Sequence, residues 1–585
     1  MRHERPLNGG DRSSALWGRG GRETRSSALW GRGGRSAVAL LALVVSVVIP
    51  AAGVASDSQT RALVPSELIS AAQANENGIF KVIVQGDPRG NSKDLADGIR
   101  NDLSSGSGDG SSKFKRYFKS IDGVAVEISG KELLKLAQHP LVTSITRDAT
   151  LSLVGNGDWD VTDPADAAMW RQTIGAPALW DQPAVKCALS LLGLKLDPTC
   201  IDKPAILAPQ APAIAIVDTG IDGSKAADFG PRIIARANFS SIEPNVSGDP
   251  SGHGTMVAGV AAGNSSAYPG VARNAPLVDV RVASSQGEAR TSDVVAAVDW
   301  MIANKAAYNI RVANFSLVGN TNASFRFDPL DKAVEKLWFS GIVVVAAAGN
   351  NGSPSGPVGI GAPANDPFVL TVGAVDINGT TSVSDDSRAP WSAFGPTADG
   401  FMKPDVSAPG RWIVAPVPAN SVFVSKKANR VVAPGYMWMS GTSFAAPMAA
   451  GAAAQILARK PGLTPDQVKG ALMLTARYLA AADPGAGVGE VDAAAAAGVS
   501  SPPNPNANLY QFVSGGLFDE AAWATYVQAN SNWTQSNWTG SNWTASNWVS
   551  SNWVSSNWTA SNWVSSNWTA SNWTASNWTV STDAE

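Results

Sequence analysis

Residues 160–499 predict an α/β fold, a parallel sheet with helices on both faces, and three observations carry that expectation. Short runs such as AIAIVD at 213–218, GIVVVAAAG at 341–349 and FVLTVGAV at 368–375 are unbroken and apolar, as strands buried on both faces are. Between them lie helical stretches: HGTMVAGVAAG, SDVVAAVDWMIANKAA and SFAAPMAAGAAAQILARK. The repetition of strand, helix and strand is that of an open parallel sheet, whose sites form at the carboxyl ends of its strands. Composition agrees. A chain of 585 residues, 44% hydrophobic and 16% charged, can bury a large core, and a net charge of −3 argues against a nucleic-acid partner. Two Cys and three His leave little for a zinc or iron–sulfur centre.

In chain order, the first segment reads as an export signal. Residues 1–55 hold eight Arg against Glu4, Asp11 and Glu23, and the run at 36–55, SAVALLALVVSVVIPAAGVA, is apolar and ends in small residues. Gly53 and Ala55 suit cleavage after Ala55, and Pro50 favours a cleaved signal over a membrane anchor. The preceding leader contains RSSALWGRGGR twice, at 12–22 and 25–35. A secreted chain permits a disulfide, and Cys187 with Cys200 would close a small loop worth about 3 kcal/mol. Two buried free thiols are the alternative.

Residues 60–150 have a β-α-β-β-α-β rhythm, the pattern of a small α+β, ferredoxin-like module. IFKVIVQ at 79–85, KFKRYFK at 113–119, GVAVEIS at 123–129 and LVTSITR at 141–147 read as strands. NSKDLADGIRNDL at 91–103 and GKELLKLAQH at 130–139 read as helices.

The chemistry lies in three short segments of 160–499. AIVDTGID places Asp218 directly after a strand, where a carboxylate can hold an imidazole in one tautomer. SGHGTMVAGVAAG starts a helix at His253, and SGTSFAAPMAAG starts another at Ser443, with Pro447 expected in its first turn. A serine there has backbone N–H groups at hand for an oxyanion. Of the three histidines, His3 lies in the leader and His139 in the 60–150 module, so an imidazole base downstream can only be His253.

These residues resemble the subtilisin-like serine proteases, or subtilases, over roughly 160–499. Asp218 falls in D-T-G-I-D, His253 in G-H-G-T and Ser443 in G-T-S-F-A-A-P; KPDVSAPG at 403–410 and GAGVGEVDAAAA at 485–496 are further landmarks. The resemblance implies a subtilisin-like sheet, an Asp218–His253–Ser443 triad and Asn350 in the oxyanion hole. It implies a substrate-binding segment at NFSLVG, with Ser316, Leu317 and Val318 flanking the specificity pocket. Ala347, Ala348 and Gly349 would form the pocket's other wall and Gly361 its floor. It implies a propeptide at 60–150 that inhibits the cleft, is cut off between about Asp148 and Trp170, and is the enzyme's intramolecular partner. It also implies structural calcium, with Asp228 as the candidate ligand, and no cofactor for catalysis. Met256 and Val318 depart from the family pattern, where a histidine and a glycine are common.

Residues 500–530 read as a linker. From Ser531 to Trp578 the motif S-N-W-[TV]-x recurs ten times at a period of five, which matches neither helix nor strand. A five-residue β-solenoid and a low-complexity tail are both compatible with it. Exposed indoles are adhesive and stack on sugar rings, so cell-envelope polysaccharide or a neighbouring copy is the expected partner. The composite expectation is a secreted serine endopeptidase acting on proteins or peptides, with the Trp-rich tail as its means of attachment to a surface. A surface adhesin with a self-processing domain and an inactive scaffold are the competing classes.

Overall fold

The computed structural model describes residues 62–529, apart from 88–89, 105–112, 154–168, 183–203, 320–323, 355 and 480–482. The leader, Cys187 and Cys200, and the S-N-W repeats lie outside the described residues.

Residues 62–153 begin with helix α1 (Ser66–Ala74) and continue as β1 (Ile79–Gln85), α2 (Ser92–Ser104), β2 (Lys113–Phe118), β3 (Gly123–Ser129), α3 (Gly130–Leu136), β4 (Ser144–Arg147) and β5 (Thr150–Leu153). The first four strands make an antiparallel sheet in the order β2-β3-β1-β4. Its core is the apolar alternation of those strands, Val82, Val84, Val126 and Ile145 packed on Leu133 of α3. A capping box starts α3: Ser129 Oγ accepts the Glu132 N–H and the Glu132 carboxylate accepts the Ser129 N–H. Strand β5 leaves this sheet.

The larger unit opens with one helical turn, α4 (Trp170–Thr173). It runs on through β6 (Ala213–Asp218), β7 (Ile233–Asn238), α5 (His253–Ala262), β8 (Leu277–Arg281), β9 (Glu288–Arg290), α6 (Thr291–Tyr308), β10 (Ile310–Phe315), β11 (Leu317–Gly319), α7 (Pro329–Phe339), β12 (Val343–Ala347) and β13 (Leu370–Asp376). The short strands β14 (Ser387–Arg388), β15 (Gly395–Pro396) and β16 (Met402–Lys403) precede β17 (Val406–Pro409). Eight strands form the main sheet in the order β14-β13-β12-β10-β6-β8-β7, with β17 also on β13. All its pairings are parallel except that of β14.

Every residue of β6, β8, β12 and β13 is buried, which requires cover on both faces. The cover comes from two helix pairs, α6 with α7 and α5 with a long helix α9 (Thr442–Arg459). Before α9, a three-stranded sheet is built from β18 (Ile413–Pro416), β19 (Val431–Ala433) and β20 (Tyr436–Met439), with a five-residue helix α8 (Val422–Lys426) between the first two. Helices α10 (Pro465–Thr475) and α11 (Ala493–Gly498) follow α9.

The linker expectation for 500–530 is corrected for the described part, 501–529. That segment forms the hairpin β21–β22 (Val513–Ser514, Leu517–Phe518) and helix α12 (Glu520–Ala529). Trp523 is 3% exposed, with its ring 5.5 Å from Phe325 and stacked at 5.8 Å on Phe401. Buried Asp466 of α10 accepts from Trp338 Nε1, Asn506 Nδ2 and the Tyr510 hydroxyl, fastening the start of the segment. Leu509, Phe512, Phe518 and Trp523 are buried and fold it onto the core.

Helix α6 is the platform on which residues 62–153 sit. Asp299 accepts the N–H groups of Lys119 and Ser120 at 2.8 and 2.7 Å, Arg116 pairs with Asp293 at 3.1 Å, and Asp148 accepts the Ser292 N–H at 2.9 Å. Among the described residues no helix is long and apolar enough to cross a membrane.

Candidate active site

Asp218 is the last residue of β6 and His253 the first of α5, so adjacent sheet and helix ends bring them together. His253 Nδ1 lies 2.8 Å from Asp218 Oδ1 and 3.0 Å from Oδ2, and both residues are buried. A carboxylate in that position accepts, so Nδ1 carries the proton and the Nε2 lone pair is left to act as a base. The approach is close enough to require Gly254, since a Cβ there would stand 2.2 Å from the Gly220 carbonyl and 3.1 Å from Asp218 Oδ1.

The loop before His253 is held by a residue the motif reading missed. Asp249 is buried and accepts the Gly252 N–H at 2.9 Å, the Thr255 N–H at 2.8 Å and the hydroxyls of Thr255 and Thr219 at 2.7 Å. Thr219 Oγ1 in turn accepts the Gly254 N–H at 3.0 Å. Burial pushes the Asp249 carboxyl up, against the downward pull of these donors. An Asp four residues before a helix-opening histidine was the available signal, and it reads equally well as an ordinary loop residue.

Ser443 is the second residue of α9 and fully buried. Pro447 falls in the second turn of the helix, not the first, and therefore removes the N–H that would bond the Ser443 carbonyl. Ser316 supplies the missing donor, its Oγ giving a 2.8 Å hydrogen bond to that carbonyl. The Ser443 hydroxyl donates back to the Ser316 carbonyl at 3.1 Å. His253 Nε2 is buried and makes no hydrogen bond among the described residues, so the Ser443 hydroxyl is not bonded to the imidazole.

Asn350 follows Gly349 (φ +115°) beyond the end of β12. Its Oδ1 accepts the Thr442 N–H at 2.9 Å and the Thr442 hydroxyl at 3.0 Å, which fixes the orientation of the amide. Its Nδ2 is buried with no acceptor among the described residues. A free amide donor is thus held one residue from Ser443.

Most of the residues expected to line the pocket lie in β11 or beside the ends of β10 and β12. Ser316 separates β10 from β11, and Leu317 and Val318 lie in β11; Ala347 ends β12, with Ala348 and Gly349 directly after it. Gly361 packs under β11, where a Cβ would meet the Gly319 carbonyl at 2.2 Å. Strand β5 lies between β11 and β9 as the middle of a three-stranded antiparallel sheet. Leu153 pairs with Leu317, Ser152 with Val318 and Leu151 with Gly319; the Leu153 N–H also bonds the Gly287 carbonyl at 3.0 Å. An extended segment therefore already fills the edge of β11 that leads to Ser443.

Asp228, which the resemblance offers as a calcium ligand, is buried, and its Oδ1 has no hydrogen-bond partner among the described residues. Its carboxylate accepts from the Tyr436 hydroxyl at 2.9 Å, and its charged neighbours are Lys225 and Arg232, both cations. Burial raises its carboxyl above the usual carboxylate range. No group of three or more His, Cys, Asp or Glu that could hold a metal is found among the described residues.

Comparison with known proteins agrees with this geometry. A family model described as the subtilase family matches residues 210–501. Serine protease AprX of Bacillus subtilis is 40% identical over 274 residues, 44% of this chain and 59% of that protein, so the match spans about three fifths of its length. Subtilisin DY of Bacillus licheniformis is 36% identical over 268 residues, 46% of this chain and 84% of that protein. A thermostable alkaline protease of Halalkalibacterium halodurans is 31% identical over 364 residues, 62% of this chain and 80% of that protein. These similarities place the chain in the subtilase family.

Proposed function

We propose that this chain is a serine endopeptidase made as a zymogen, and the observation that carries the reading is the 2.8 Å Asp218–His253 pair set beside Ser443 and the free amide of Asn350. In the first half-reaction the Ser443 hydroxyl turns from the Ser316 carbonyl to His253 Nε2. It attacks the scissile carbonyl carbon while Nε2 takes its proton. Asp218 stabilises the resulting imidazolium through Nδ1–H. The negative oxygen of the tetrahedral intermediate receives the Asn350 Nδ2–H and an unpaired N–H of the first turn of α9. Collapse breaks the C–N bond, and His253 returns the proton to the leaving amine. Water, activated by the same imidazole, then hydrolyses the acyl-enzyme. The relatives are named as proteases and subtilisins, which supports peptide bonds as the substrate class.

Residues 62–153 act as the inhibiting propeptide in this reading. Strand β5 occupies a position that an extended substrate would take, by main-chain pairing to β11 and β9. Because the chain is still in that ladder at Leu153, self-cleavage falls after Leu153 and before Trp170, a narrower window than the sequence alone allowed. The apolar run at 36–55 supports export, and the S-N-W repeats would attach the enzyme to envelope polysaccharide.

The test is the intact mass of the protein produced from residue 56 onward, beside Ser443→Ala. Loss of roughly 10 kDa from the N-terminus of the parent alone supports both roles. If neither protein is cut and neither digests casein, the protease reading is wrong. Deleting 531–578 should leave peptide turnover intact and abolish retention on envelope polysaccharide; unchanged retention removes the tail's proposed role.

A further inference from the structure

The short helix α8 belongs to no motif, yet it is fastened to the loop that carries His253 and packs on the imidazole. Its first-turn N–H groups, which a helix leaves without internal partners, go to the loop that carries His253: Val422 N–H bonds the Pro250 carbonyl at 2.8 Å and Phe423 N–H bonds the Ser251 carbonyl at 3.1 Å. Ser421, its buried N-cap, packs against Gly252 so closely that a Cβ there would meet Ser421 Oγ at 2.8 Å. At the other end Lys426 Nζ donates to Gln286 Oε1 at 3.1 Å. Gln286 lies in the hairpin whose next residue, Gly287, holds the Leu153 N–H.

Between these anchors the Phe423 ring meets the His253 imidazole edge-to-face, with centroids 5.8 Å apart and planes at 84°. Phe444, the residue after Ser443, packs on the same imidazole at 5.5 Å and 47°. The imidazole is thus tied by hydrogen bonds at Nδ1 alone, while Nε2 makes none. A five-membered ring fixed at one nitrogen can still tilt about its bond to Cβ, and phenyl contacts on its remaining surface oppose that tilt. Phe444 moves with the nucleophile's helix, whereas Phe423 is fixed to the histidine's own loop.

We propose that α8 is a strap over the imidazole and that Phe423 is a positioning residue, holding Nε2 where the Ser443 proton will arrive. This rests on the protease reading above. The phenyl ring neither accepts nor donates a proton, and its effect is confined to the fraction of time the base is correctly aimed. Its removal should therefore lower kcat at constant KM.

The experiment compares the parent, Phe423→Ala and Phe423→Leu on one small chromogenic peptide. Active sites are counted by the burst from an activated ester, so that misfolded protein does not enter kcat. Phe423→Ala should lower kcat per active site by about two- to tenfold at unchanged KM, with Phe423→Leu in between. Equal kcat in all three, or a fall matched by a rise in KM, overturns the positioning role; the second result would make α8 a binding wall. If Phe423→Ala gives no burst because it does not fold, Phe423→Leu decides alone. Absence of both burst and turnover in the parent overturns the protease reading, and the strap with it.

Discussion

Ser316 and Ser443 each donate a hydrogen bond to the other's carbonyl: Ser316 Oγ to the Ser443 carbonyl at 2.8 Å, and Ser443 Oγ to that of Ser316 at 3.1 Å. The clasp joins the end of β10 to the start of α9 and exists because Pro447 cannot donate to the Ser443 carbonyl within the helix. It also points the Ser443 hydroxyl hydrogen at a main-chain oxygen rather than at His253 Nε2.

Ser316→Ala removes the donor to the Ser443 carbonyl and the acceptor for Asn314 Nδ2, 2.9 Å away. Both groups are buried, so the variant should lose about 1–3 kcal/mol of stability, measured by denaturant unfolding of the Ser443→Ala background to prevent self-digestion. An unchanged midpoint would mean that water replaces the clasp.

Asn350→Ala should lower kcat by roughly 100- to 1,000-fold while leaving KM within about threefold, because its Nδ2–H is needed only when negative charge develops. The substitution also deprives the Thr442 N–H of its 2.9 Å acceptor. A thermal melt run in parallel shows whether that loss unfolds the start of α9.

Asp331, Glu335 and Asp366 are buried together, and burial raises all three carboxyls, Asp366 to about 6. A carboxyl raised in the folded state disfavours its own ionisation there, so its contribution is present below the unfolded value of 3.8 and lost as pH rises through about 6. Asp366→Asn keeps an acceptor for the Phe368 and Val369 N–H groups. Its Tm relative to the parent should therefore increase between pH 4 and pH 7, and a pH-independent difference would contradict this assignment.

Trp523→Ala empties a site lined by Phe325, Phe401 and Phe518. The expected loss is about 3–5 kcal/mol, read from urea unfolding, with no change in kcat for molecules that remain folded. Near-neutrality would restore residues 501–529 to the status of a linker.

The alternation of apolar strands and helices was legible because backbone periodicity is local, and so was the placement of Asp218, His253, Ser443 and Asn350 at element ends. Their motifs encode backbone shape: Gly254 admits the close approach to Asp218, and Gly349 supplies the positive φ before Asn350. Asp249 and Phe423 carry no such mark. Each is an ordinary residue in a loop or short helix, and its importance arises from what folds against it.

By itself, then, the sequence determined the α/β character of the chain and its large parallel sheet, which follow from short-range pattern. The tertiary structure alone decided that Ser316 replaces the hydrogen bond lost to Pro447, that β5 fills the edge of β11, that 501–529 folds into the core, and that Phe423 leans on His253. Those relations join segments up to hundreds of residues apart, and only the packing of the whole sheet and its helices brings them within bonding distance.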